Sequence, residues 1–151
     1  MSIENPFAAP ATPAESSEPH EIPKPRAERL DLGRLAREAV QKIEKGPDAE
    51  TKRGIQVERA LFHNITPTLP ESHPEVARIR SYVNFALRQC GFPEDFLSVT
   101  IYDDVDPGVY VIPYSKEIRI SQSFLRAVDY DPEKVMSVFG HEIGHLLLLQ
   151  F

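Results

Sequence analysis

Of the five histidines in this 151-residue chain, two stand four positions apart in the run His141-Glu142-Ile143-Gly144-His145. On a helix, positions i and i+4 share one face, with Cβ atoms roughly 5–6 Å apart. Two imidazole nitrogens so placed can reach one metal ion at about 2.0–2.1 Å, the distance zinc prefers. Glu142 is turned about 100° from His141, which suits a carboxylate that addresses water beside the ion and does not bind the ion itself. Zinc lowers the pKa of such a water towards ~7, and a neighbouring carboxylate can take its proton and return it to a leaving amine. The pattern therefore predicts metal-assisted peptide hydrolysis: His141 and His145 as metal ligands, Glu142 as general base and then acid, Zn2+ as cofactor, and a peptide or protein as substrate. Gly144, beside the second ligand, is expected to permit close packing on the far side of the helix. His20, His63 and His73 have no paired ligand at useful spacing and are expected in solvent or at helix caps.

A helix must present these residues, and the sequence supplies one. Asp131 is placed as its N-cap, Pro132 at its first position and Glu133 in its first turn. Val135, Met136, Val138 and Phe139 lead into the motif, and four leucines carry the pattern to the end. Before it, Asp31 opens a helix with apolar positions at 32, 35, 36, 39, 40 and 43, stopped by Gly46-Pro47. A weaker helical stretch covers roughly residues 49–62. Pro74 begins a third helix behind Ser72 or His73, with Val76, Ile79, Val83, Ala86, Leu87 and Cys90 at helical spacing until Gly91. The period then changes. Residues 97–102, 109–112 and 117–120 alternate as half-buried strands do, with a turn over 103–108, a connection through 113–116, and a short helix from Ser121 or Ser123 to Val128. The fold class expected is α+β, helices packed on a small antiparallel or mixed sheet, with the motif helix last.

Six of the fourteen prolines fall within residues 1–29. That segment is expected to be a disordered proline-rich tail, a tether or a ligand for a partner domain, ahead of a folded part from residue 30 to 151. A pI of ≈ 5.4 and a net charge of -6 give no electrostatic footprint for nucleic acid. From Gly91 to Val135 nine acidic residues face four basic ones, a net of -5 expected on a solvated face. The single cysteine, Cys90, excludes an internal disulfide framework and is read as a small buried hydrophobe. Without a signal-peptide start or an apolar run of membrane-spanning length, the chain is expected in the cytoplasm.

Residues 97–147 resemble the core of zinc metallopeptidases of the HtpX and CAAX prenyl protease type. In that family a strand precedes an Asn-Ala-aromatic-Ala-x-Pro segment, an edge strand, a short Gly-Leu-Leu helix and a helix carrying His-Glu-x-x-His. Tyr110 matches the aromatic, Pro113 the proline, and Ile118-Arg119-Ile120 the edge strand. Phe124-Leu125 match the short-helix hydrophobes, and His141, Glu142 and His145 the motif. Gly108-Val109 stand in place of Asn-Ala, and Ser123 in place of the glycine. The resemblance implies a zincin-like core and a zinc endopeptidase in which the backbone of Ile118, Arg119 and Ile120 holds an extended peptide by strand addition. It also implies a third zinc ligand, a glutamate on a later helix.

No glutamate follows His145, and the chain stops six residues beyond it. The domain is therefore expected to be incomplete, its last helix cut in mid-course and this chain itself inactive, with membrane association through missing segments left open. Two other readings remain. The run His-Glu-Ile-Gly-His-Leu-Leu also resembles repressor-cleaving, ImmA-like metallopeptidases. Alternatively the chain is a non-catalytic helical interaction domain whose zinc site is incomplete and inert.

Overall fold

Asp31 accepts the Arg34 N–H at 3.0 Å and starts α1, Leu32–Lys45, whose Ala36, Ala39 and Ile43 are buried. This is the computed structural model of the chain, which describes residues 31–149 and 151; the expected tail lies outside them. Asp48 caps α2, Ala49–Ile65, through the Thr51 N–H. His73 caps α3, Pro74–Gln89, and Val76, Ile79, Val83, Ala86 and Leu87 form its buried stripe. α3 ends in a Schellman motif: Phe92 N–H bonds Leu87 O at 2.9 Å and Gly91 N–H bonds Arg88 O at 3.0 Å. Gly91 is required there twice over. Its φ is +89°, and a Cβ would meet the Leu32 carbonyl oxygen at 3.0 Å. Cys90 lies at this C-cap, half-buried against the core's edge and not within it, and burial pushes its thiol pKa up.

Three strands form a mixed sheet in the order β1-β3-β2. β1, Ser98–Tyr102, runs parallel to β3, Glu117–Ser121, while β2, Val109–Ile112, runs antiparallel to β3. Glu117–Ser121 is therefore the central strand, bonded on both sides and buried throughout. The expectation that Ile118, Arg119 and Ile120 form a peptide-binding edge is overturned, because neither edge of their strand is left to accept another. Beyond β1, Leu69 N–H bonds Ile101 O at 3.0 Å and Asp103 N–H bonds Pro67 O at 3.0 Å, so a loop covers that side. Among the described residues, no further strand is bonded to the outer edge of β2. Ser121 N–H bonds Gly108 O at 2.9 Å, which marks Gly108 and Ser121 as a bonded pair. By antiparallel alternation Val109 and Val111 then direct their N–H and C=O outwards.

The pleat gives the sheet two unlike faces. Ile101, Ile118 and Ile120 lie on the face packed by α1, α3 and the final helix, joined by Val99, Val109 and Val111 at its margin. Glu117, Arg119, Thr100 and Tyr110 fall on the opposite face, which α2 covers. A single-turn 3-10 segment, Pro113–Ser115, joins β2 to β3, and a short α4, Gln122–Ala127, follows with Ser121 as its N-cap. No helix of the described residues is long and apolar enough to cross a membrane. The last helix, α5, is Pro132–Leu147. It stops short of Leu149, whose φ is +56°, and the turn sets Phe151 against Tyr114, ring centroids 5.7 Å apart. No glycine or proline signals that stop.

Candidate metal centre

The entry of the chain into α5 is fixed by two successive caps. Tyr130 N–H bonds Leu125 O at 2.8 Å and Asp129 N–H bonds Arg126 O at 2.9 Å, closing α4 with Asp129 in the left-handed region. Asp131 then accepts the Glu133 N–H at 3.1 Å, and Pro132 occupies the first turn of α5. Val135, Phe139, Ile143, Leu146 and Leu147 are buried against α1, α3 and the sheet. At about 100° per residue this stripe leaves positions 141 and 145 on the opposite, outward face and puts 142 at the border between them. The observed exposure agrees: both histidines are exposed and Glu142 is half-buried.

The imidazole Nε2 atoms of His141 and His145 lie 3.2 Å apart, with the rings at 84° to one another. Two nitrogens bound at about 2.0–2.1 Å to a tetrahedral ion are themselves about 3.3 Å apart. The histidine bite therefore fits a single zinc-sized ion without rearrangement of the helix. The same separation lets one ring donate a hydrogen bond to the other in the absence of an ion. One ligand atom from each of His141, Glu142 and His145 lies within 4.8 Å of the others. No other histidine, cysteine, aspartate or glutamate among the described residues joins that group. A Cβ at Gly144 would meet nothing within 4 Å, so this glycine leaves open space and does not serve the close packing expected of it.

Ile118, Arg119 and Ile120 are not brought to this cluster. Ile118 and Ile120 are core residues, and Arg119 is the centre of a polar network on the other face. Its Nε donates to Glu117 Oε1 at 2.9 Å, and its two terminal nitrogens donate to both oxygens of Glu58 at 2.6 and 2.9 Å. The guanidinium also lies 3.9 Å over the Phe62 ring. Glu117 accepts from Thr100 Oγ1 at 2.5 Å and pairs with His63 Nε2 at 2.6 Å, with Arg59 at 3.7 Å. Burial pushes the Glu117 pKa up. The hydrogen bonds from Thr100 and His63 and the charge of Arg119 outweigh it, holding the carboxyl below its usual range. His63 is thus a partner of a buried carboxylate, contrary to the solvent or capping role expected, whereas His73 does cap α3, its Nδ1 accepting the Glu75 N–H at 3.1 Å. His20 lies outside the described residues. The network had one signal in the sequence, the charged residues at 117 and 119 alternating with Ile118 and Ile120. The weak apolar pattern of α2 concealed that a helix covers them.

Compared with known proteins, the chain matches no family model, no curated protein and no solved structure.

Proposed function

We propose that the chain carries the metal-binding and proton-transfer helix of a zinc-dependent endopeptidase. The observation that carries this reading is the 3.2 Å separation of the two Nε2 atoms on the outward face of α5, with Glu142 beside them. His141 and His145 would hold the ion, and a zinc ion there supplies Lewis acidity and a lowered water pKa. Glu142, anchored at the border of the buried stripe, takes a proton from the attacking water and delivers it to the leaving amine. α5 packs against β2, so the open edge of that strand is the place for an extended peptide, through the outward N–H and C=O groups of Val109 and Val111. Catalytic zinc sites use three protein ligands plus water, and His141 and His145 would supply two of them.

The test is a peptidyl hydroxamate, which chelates zinc through positions the histidines leave open and donates a hydrogen bond to an adjacent carboxylate. Fluorescently labelled hydroxamate should bind only when zinc is present. Binding should vanish in His141→Ala or His145→Ala and weaken in Glu142→Gln with zinc retained. Zinc-independent binding, or indifference to all three substitutions, would refute the reading. One observation favours the alternative of an interaction domain: Val57, Leu61 and Ile65 form an outward stripe on α2, 52%, 55% and 74% exposed. Under that alternative the hydroxamate result is negative.

A further inference from the structure

The open edge of β2 has a side-chain groove beside it, on the sheet face away from α5. Val109 and Val111 turn towards the core, so Tyr110 and Ile112 turn towards α2. There, with Thr51, Gly54, Ile55 and Glu58, they line a groove of about 450 Å³. That volume lies within the ~300–1,000 Å³ typical of ligand pockets and admits at least one large side chain.

Two features make the groove receptive to an apolar group. Gly54 occupies the interior of α2, where glycine is a poor helix former, and a Cβ there would meet nothing within 4 Å. The missing side chain therefore leaves space beside the strand edge and relieves no clash. Glu58, the one charged group on the wall among the described residues, has both carboxylate oxygens engaged by Arg119 at 2.6 and 2.9 Å. Its charge is compensated from beneath, so the wall has no unpaired cation to offer an acidic side chain.

We infer that this groove is a selectivity pocket for a polypeptide strand seated on the edge of β2, and that it takes a branched or aromatic apolar side chain. The identity of the ligand as a polypeptide rests on the peptidase reading. The position of the pocket follows from the pleat: a strand added beside β2 sends alternate side chains to the two faces. Those on the Tyr110 and Ile112 side enter the groove, and those between them point to the α5 side. An apolar residue every second position is selected, and an acidic one is rejected because its carboxylate would be desolvated without a partner.

The experiment is an NMR titration of the full chain with the capped pentapeptide acetyl-Lys-Thr-Leu-Thr-Lys-amide and its Leu→Asp counterpart. The Leu peptide should shift the Val109 and Val111 amides and the Ile55 and Ile112 methyls, and bind at least about tenfold more tightly than the Asp peptide. N-methylation of the leucine-flanking amides should remove binding, because the strand edge needs those donors. Gly54→Leu, placed in open space, should keep the fold and abolish the preference for Leu. Equal binding of the two peptides, or shifts confined to other residues, overturns the pocket, and the wild-type series decides this even if Gly54→Leu fails to fold. Zinc binding is measured separately. Zinc bound without a Leu preference sinks the pocket alone, while a Leu preference without zinc binding sinks the peptidase reading and leaves the pocket standing.

Discussion

Replacing Arg119 by methionine should remove about 3 kcal/mol of stability while leaving the candidate site on α5 intact. Arg119 is fully buried and supplies one hydrogen bond to Glu117, itself fully buried, and two to Glu58. Removing one partner of a buried pair costs roughly 3–5 kcal/mol, because the other charge is left uncompensated. Methionine restores most of the lost apolar volume. His63 at 2.6 Å and Arg59 at 3.7 Å still face Glu117, which places the loss at the lower end of that range. Against a typical domain stability of about 5–15 kcal/mol this is a large fraction. With a urea slope of about 1–3 kcal/mol per molar, the unfolding midpoint should fall by roughly 1–3 M. Because no residue of α2 is fully buried by apolar packing, hydrogen exchange over Ala49–Ile65 should lose protection first. The double variant Glu117→Gln/Arg119→Met removes the stranded charge and should recover a substantial part of the loss. A fall of less than about 1 kcal/mol in the single variant, or a double variant as unstable as the sum of its parts, would refute the buried-network account.

Three further outcomes follow from the same geometry. The Glu117 pKa is lowered in the folded chain from an ordinary value of 4.5, so its contribution is present above that pH and is lost as pH falls through the lowered value; urea midpoints below pH 4.5 should decline more steeply in wild type than in Glu117→Gln. Asp131→Ala, which removes the α5 cap to the Glu133 N–H, should cost about 1 kcal/mol in the same assay, and no loss would mean the cap is not what starts this helix. Gly144→Ala, where a Cβ meets nothing within 4 Å, should raise stability by up to about 1 kcal/mol; destabilisation would restore the close-packing role first expected of it.

The elements that position the candidate site were legible because their signals are local. Asp131-Pro132 and the spacing of Val135, Phe139 and Ile143 specify where α5 begins and which side it buries. With that side known, the outward placement of His141 and His145 follows from helical period alone. The strands at 98–102, 109–112 and 117–121 were readable from alternation for the same reason. Strand order was not. The edge position expected of Ile118-Arg119-Ile120 rests on the family resemblance, since alternation reports the two faces of a strand and not its place in the sheet. Nothing within three residues reveals that β1 and β2 lie on either side. That arrangement depends on contacts between residues far apart in the chain, such as Thr100 with Glu117 and Glu58 with Arg119. The role of α2 was hidden likewise. This helix is attached to the sheet by the hydrogen bonds of Glu58 and His63 and by the stacking of Phe62 on the Arg119 guanidinium, so its sheet-facing side lacks the buried apolar stripe by which a covering helix is recognised.

The central claim is that His141 and His145 are ligands of one metal ion and that Glu142 is not. Calorimetric titration with zinc of the wild type, His141→Ala, His145→Ala and Glu142→Gln tests it most directly, with circular dichroism confirming that each variant is folded. One zinc ion should bind per wild-type chain. Each alanine variant should lose at least about tenfold in affinity, while Glu142→Gln stays within about threefold. Alanine variants that remain folded and bind zinc as the wild type does would contradict it.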